Sequence, residues 1–443
     1  MADRDAGGRL ASVVASALAR VSRPDFDAWQ AAVRAAGCCA RPVRLTGRVF
    51  AVDPASGDVT VAYSSGRQPD RVLLKACGTR RATLCPACAA VYRGDAKALL
   101  RGGLAIDKPD GGTAPVVFVT LTAPSYGPVH THRDGNVCKP GRPGRCPHGN
   151  RVGCDVVHSP DDPQIGVALC PDCYDWDGAV IFNARAGELW RRTVIAATRT
   201  LATSSGIPVR RFIERHRLEY VKVVEFQTRG VVHVHALTRL DTTAAVHDSK
   251  GIDGPRVASA LLTAAARVTA PSPLPDRPPL RWGVQADAAD IPPERRRAAA
   301  AYLAKYAIKS VDGAGLLDRR LSHGNLDTMG LPPQLARMAA TAWTLGEQPA
   351  LAALRLRLWA HTLGYRGHWL TKSKGWSTTF AELRARRQRW TLTRAGIDPS
   401  TLEHRWGEWE LHGVGHLSAG DAWLAASANA DRRDQRRAAW QEP

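Results

Sequence analysis

His233 and His235 stand one residue apart in VVHVHAL. Successive side chains of a strand point to opposite faces, so these two imidazoles project together at metal-chelating distance. Spacing alone carries little weight. With 14 His in 443 residues, chance supplies about 0.4 H-x-H pair per chain. His130 and His132 do form a second pair, in a loop that bears Gly and Pro. What sets the first pair apart is Glu225, on the preceding run LEYVKVVEFQ, which the Thr228-Arg229-Gly230 turn brings opposite the histidines. One carboxylate with two imidazoles suits Mg²⁺ or Mn²⁺ with open water positions, and would also take Zn²⁺. The same pattern fits a half-exposed hairpin whose histidines are simply polar-face residues.

A second reactive group lies in AAYLAKYAIKS. Tyr302 and Tyr306 are four apart, and Lys305 and Lys309 follow each by three, so all can share one helix face. A phenol ionises near pH ~10, so attack on phosphate at neutral pH needs a neighbouring cation. A packing stripe of Tyr302, Tyr306 and Ile308, with lysines reaching water, fits the same spacing.

The cysteines form a third group. They fall in CPAC and CPDC pairs within a large chain, which points to metal rather than to a disulfide framework. Cys77, Cys85 and Cys88 supply three ligands, and Cys138, Cys146, Cys154, Cys170 and Cys173 supply five, with His148 and His158 nearby. Structural zinc takes four Cys or His in tetrahedral array. The expected grouping is one site of Cys146, Cys154, Cys170 and Cys173, with the remaining thiols near Cys85 and Cys88. Cys38 and Cys39 read as ordinary buried thiols, a reading also open for several of the eight.

The elements that position these groups follow from pattern. PVVFVTLTAP at 115–124 is a β-branched run between prolines, a buried strand. LTGRVFAVDPASGDVTVAY at 45–63 is a hairpin pattern around Pro54 and Gly57. Helical periodicity runs over residues 1–35 and from Ala179 to Leu201, and Pro292-Pro293-Glu294 opens the tyrosine helix. Residues 127–165 are too rich in Gly, Pro, His and Asp to build a core and need another restraint, which metal could supply. The expected organisation is a 1–76 region, a cysteine-bearing 77–113 segment, a 114–312 catalytic domain with a cysteine-rich insert at 136–176, and a mostly helical basic region at 313–443.

A formal charge of +20 makes nucleic acid the leading partner. In GYRGHWLTKSKGWSTTFAELRARRQRW, Arg366, Lys372, Lys374, Arg384, Arg386 and Arg387 interleave with Trp369, Trp376 and Trp390. Cations would hold phosphates and the tryptophans would either stack on unpaired bases or fill the core. No apolar run reaches membrane-spanning length and the first residues carry acids where a signal peptide would not, so the expected location is the cytoplasm with no membrane partner.

In order, VFVTLTAP, EFQTRGVVHVHAL and YLAKYAIK, together with CPAC, CPHG, CPDCYDW and GHWLTKSKGWS, resemble the HUH endonuclease superfamily. Within it they are most similar to the rolling-circle replication initiators of actinobacterial plasmids and integrative elements. The resemblance spans about Cys77 to Trp376. It implies an α+β fold: a central antiparallel sheet flanked by helices, His233 and His235 on a middle strand, Glu225 beside them, and a tyrosine helix whose hydroxyl faces a divalent metal. It implies nicking of single-stranded origin DNA to give a 5′-phosphotyrosine and a 3′-hydroxyl primer, with duplex origin DNA and a host helicase and polymerase as partners. Single-tyrosine relatives place the nucleophile in a K-Y-x-x-K context, matching Lys305, Tyr306 and Lys309. Some carry a glutamate four residues earlier, where this chain has Tyr302. A glutamate there would activate water, whereas a second tyrosine could make a second strand transfer. A conjugative relaxase would use the same chemistry, and a non-catalytic zinc-bearing DNA-binding regulator predicts binding with no covalent adduct.

Overall fold

The computed structural model describes residues 2–104, 113–140, 144–243, 252–312, 320–322, 330–398 and 404–441. The side chains of 2–7, 308–312 and 436–441, and so that of Lys309, lie outside the described residues. Two compact units emerge, Met1–Asp95 with Thr379–Pro443, and Ala96–Thr378. These boundaries differ from those read in the sequence, because both chain ends build one unit.

The first unit opens with α1 (Ala2–Val21) and α2 (Phe26–Ala35), whose Trp29 and Val33 are buried. β1 (Val43–Val52) and β2 (Val59–Ser64) then pair antiparallel across the Gly57 turn, where φ is +78°, and β3 (Leu73–Lys75) also pairs with β1. α3 (Pro86–Gly102) begins at the proline after Cys85 and carries the chain into the second unit.

The second unit contains β4 (Val116–Thr122), α4 (Trp176–Ser204), α5 (Val209–Arg215), β5 (His216–Phe226) and β6 (Val232–Thr242). It continues through α6 (Gly254–Arg267), β7 (Thr269–Ala270), β8 (Leu280–Arg281) and β9 (Ala286–Asp290) to α7 (Arg296–Asp312). It ends with α8 (Pro333–Leu345), α9 (Leu356–Trp359) and β10 (Leu370–Lys372). Its main sheet has the order β10-β5-β6-β4-β9, with every pairing antiparallel, so β6 lies at the centre. Alternation divides the strands by face. Val117, Val119, Leu121, Val224, Val232, Val234 and Ala236 join α4, α6 and α8 in the main core. Glu225, His233 and His235 point the other way, towards α7.

The chain then returns to the first unit with α10 (Phe380–Arg394), β11 (Arg405–Val414) and α11 (Ala419–Gln441). Beyond residue 313 the described elements are mostly helices, with β10 and β11 as strands that local pattern does not announce. RWGEWELHGV is a strand because it pairs with β1, from Val43↔Val414 to Ala51↔Arg405. That partner is far away in sequence, where local pattern does not reach. The result is a mixed α+β protein of antiparallel sheets and helices, and no described helix is long and apolar enough to cross a membrane.

Candidate active site and metal-binding groups

Glu225 is the direct cross-strand partner of His233, and Val223 of His235. The register places the carboxylate beside both rings, with Glu225 Oε2 3.7 Å from His235 Nε2. The imidazole rings are 4.5 Å apart, nearly perpendicular. On the other side, β4 supplies Thr120 and Thr122, each sharing a 3.2 Å hydrogen bond with Nδ1 of His235 and His233 respectively. With Nδ1–H donated to the threonine oxygen, each Nε2 keeps a lone pair for a ligand. Burial first, then the neighbouring His235, pulls His233 down to about 4, which leaves it neutral and able to ligate at neutral pH. The alternating threonines of TLT were visible in the sequence, but their role follows only from the register.

The hairpin turn is held from three sides. Asn183 of α4, fully buried, donates through Nδ2 to the Gly230 and Leu363 carbonyls at 2.9 Å and accepts from Val232 N–H at 2.9 Å. Arg229 donates to the Pro124 carbonyl at 2.8 Å and the Ala123 carbonyl at 3.0 Å, tying the turn to the end of β4. Gln334 donates to the Arg229 carbonyl at 3.3 Å. Gly230 has φ of +77° and sits where a Cβ would meet Leu335, Leu363 and Met338 at about 3.1–3.2 Å, so glycine is required there.

α7 lays its tyrosines over this face. The Tyr306 ring lies 4.5 Å from His235, and Tyr306 donates to the Tyr302 hydroxyl at 2.7 Å. Phe118 packs against both His235 and Tyr302. Tyr302 is 48% exposed and Tyr306 less so, while Lys305 is exposed. The bond to Tyr302, then burial, then the charges of Tyr302 and Glu225 push the Tyr306 phenol up to about 12. Without a cation, this site disfavours the phenolate.

Among the described residues, three groups of Cys and His have ligand atoms within 4.8 Å of one another and could each hold a metal ion. Glu225, His233 and His235 are more widely disposed and are not among them. The first group is Cys39, Cys77, Cys85 and Cys88, with Cys77–Cys88 sulfurs 3.6 Å apart and Cys39 3.7 Å from both Cys85 and Cys88. Four bonds of about 2.3 Å in tetrahedral array set sulfurs about 3.8 Å apart. Cys39 is thus a candidate ligand rather than an ordinary thiol. The second group is Cys146, His148, Cys170 and Cys173. Burial opposes ionisation of Cys170, but hydrogen bonds led by that from Asn150 draw its thiol down to about 6. The third is His130, Cys138, Cys154 and His158. Cys154 therefore belongs with two histidines and Cys138, and His148 takes the place that sequence spacing gave to Cys154. The described cysteines form no disulfide.

The basic residues do not form one body. Arg366, Lys372 and Lys374 belong to the second unit, whereas Arg384, Arg386 and Arg387 lie on α10 of the first. Lys372 Nζ is bonded to the Ser373 carbonyl at 3.1 Å, Arg386 pairs with Glu382, and Arg387 pairs with Asp95. Trp376 is a core residue, fully buried beneath the guanidinium of Arg239, and half-buried Trp369 packs on Phe226 against the core. Trp390 is 62% exposed.

This architecture defines a protein with a Glu-His-His-Tyr cluster on an antiparallel sheet and three groups able to bind metal. The chain belongs to the replication initiator family: the family model described as RepSA, "Replication initiator protein, pSAM2", matches residues 25–430. A curated replication initiator protein of Streptomyces ambofaciens is 36% identical over 436 residues, covering 92% of this chain and 90% of that protein. No solved structure matches the chain.

Proposed function

We propose that this replication initiator starts rolling-circle replication by nicking one strand of its origin, with an HUH-type sheet presenting the scissile phosphate to Tyr306. The observation that supports this most directly is the convergence of Tyr306 on His235 within one face that also holds Glu225 and His233. In the proposed step the Tyr306 oxygen bonds to phosphorus and the bond from phosphorus to the 3′-oxygen breaks. The released oxygen takes a proton to become the 3′-hydroxyl primer, and the 5′ side stays esterified to Tyr306. Return attack by a 3′-hydroxyl reverses the step.

The donor set fits Mg²⁺ or Mn²⁺: one carboxylate and two imidazoles whose Nδ1 atoms are already engaged by threonines. A divalent ion bound there would draw electron density from the phosphate and offset charge on its oxygens. Tyr302 holds the Tyr306 hydroxyl and offers a second acceptor for strand transfer. Exposed Lys305 and Arg366 would contact backbone phosphates, together with Lys374 and the cations of α10. Single-stranded DNA would occupy the site, duplex origin DNA the basic surfaces, and a host helicase and polymerase would extend the primer.

The test uses Mn²⁺ and labelled single-stranded oligonucleotides tiled across DNA flanking the gene, read on denaturing gels with peptide mapping. A DNA-linked peptide containing Tyr306 is expected. Firm binding with no adduct across metals would overturn the nicking reading and favour a non-catalytic DNA-binding initiator.

A further inference from the structure

The described residues between 128 and 173 contain almost no regular secondary structure and few apolar side chains, yet they hold a defined path. Short bridges mark it: Val129↔Ala168, Lys139↔Cys154 and Arg145↔Arg151. Such a segment needs a restraint other than a core. We propose that it is a two-zinc module whose ligand sets interleave along the chain. His130, Cys138, Cys154 and His158 hold one ion, and Cys146, His148, Cys170 and Cys173 hold the other.

The first set carries most of the inference. His130 Nδ1 and His158 Nε2 face each other at 3.1 Å, and Cys154 Sγ lies 3.4 Å from the same Nε2. Tetrahedral zinc, with bonds of about 2.0 to 2.3 Å, sets nitrogen and sulfur ligands roughly 3.3–3.8 Å apart. A simple hydrogen bond between two imidazoles would explain the nitrogen pair but not the two thiols directed at the same point. His158 Nδ1 is bonded to Asp162 Oδ2 at 2.6 Å, the carboxylate–histidine arrangement that fixes a ligand ring and frees its far nitrogen. Cys138 Sγ accepts the Thr131 N–H at 3.1 Å, which fixes where the sulfur points. All four residues except His130 are buried. In the second set, His148 Nδ1 lies 3.3 Å from Cys173 Sγ and 3.8 Å from Cys170 Sγ.

Chain order alternates: two ligands of the first ion, two of the second, two of the first, two of the second. Each ion therefore closes a loop that contains a ligand pair of the other, a cross-brace that stiffens the segment without a hydrophobic core. The braced segment reaches the hairpin turn. Gly166 sits where a Cβ would lie 2.4 Å from the Thr228 carbonyl carbon, and Ala168 N–H donates to Gln334, which in turn bonds Arg229.

Cadmium substitution of the full chain, read by cadmium NMR, distinguishes ligand sets by their sulfur count. Three sulfur-ligated signals are expected, one each for four sulfurs, three sulfurs with one nitrogen, and two of each. A metal at Glu225, His233 and His235 would appear apart from these, having no sulfur, so failure of the nicking reading leaves the result intact. Two four-sulfur signals with no two-nitrogen signal would overturn the grouping. Cys154→Ser should erase the two-nitrogen signal while the four-sulfur signal of the first unit persists as a control for folding. Survival of the two-nitrogen signal in that variant would also overturn the proposal.

Discussion

The Tyr306 hydroxyl donates to the Tyr302 hydroxyl at 2.7 Å, directly above His235. This bond stabilises the neutral phenol of Tyr306 and is the largest cause of its rise to about 12. The two tyrosines are therefore not equivalent: Tyr306 lies over the imidazole, and Tyr302 restrains it. Tyr306→Phe is expected to abolish the covalent DNA adduct while leaving binding intact. Tyr302→Phe should keep the adduct and move the alkaline rise of cleavage rate to lower pH, since Tyr306 then falls back towards about 10. An adduct on Tyr302 in the Tyr306→Phe variant would reverse these roles.

Glu225 brings the only carboxylate that faces His233 across the β5–β6 pair. Glu225→Gln preserves shape and removes the charge, so the Mn²⁺ concentration for half-maximal cleavage should rise by about tenfold or more. Proton competition for His233 sets in only as pH falls towards about 4. Metal-dependent cleavage should accordingly show no loss between neutral pH and mildly acidic pH on account of this ligand. An unchanged Mn²⁺ response in Glu225→Gln would remove the carboxylate from the metal site.

The hairpin could be read from sequence because its strands are adjacent and its turn is short, so alternation alone aligns Glu225 with His233. The metal groups resisted the same approach for a physical reason. Cys39 meets Cys77, Cys85 and Cys88 across a fold in which β3 pairs back on β1, so nothing near it in sequence marks it as a candidate ligand. Likewise His130 reads as half of an H-x-H pair, whereas the ring it meets, that of His158, lies across a loop. Groups that interleave along the chain defeat grouping by proximity, so spacing puts Cys154 where the structure groups His148. Strand β11 is the same lesson for the fold, since its partner β1 lies near the other end of the chain.

Asn183 spans α4, the Gly230 turn and the Leu363 carbonyl with three bonds of 2.9 Å, entirely out of water. Asn183→Leu would leave two carbonyls and one N–H without partners, at a cost of about 2–5 kcal/mol. The denaturant midpoint should fall with the slope unchanged. Cleavage should weaken in parallel, because the turn spaces Glu225 from the histidines. A loss under about 1 kcal/mol would mean that these groups find other partners.

Lys222 is 6% exposed on the α4 face of β5, in register with Ala236 and Thr371. Burial pulls its ammonium from the ordinary lysine value of 10.5 down to about 8. Below about 8 both folded and unfolded chains carry the charge, and the folded state bears the full cost of burying it. Between about 8 and 10.5 the unfolded chain holds more protons, so stability rises with pH across that window. Lys222→Met keeps most of the side-chain volume and removes the charge. It should stabilise the protein at neutral pH by about 1–3 kcal/mol and flatten the rise in the alkaline window, as read from denaturant midpoints at several pH values. A variant that is instead less stable would show that the ammonium has a partner worth more than its desolvation, and would mark Lys222 as a residue retained for more than packing.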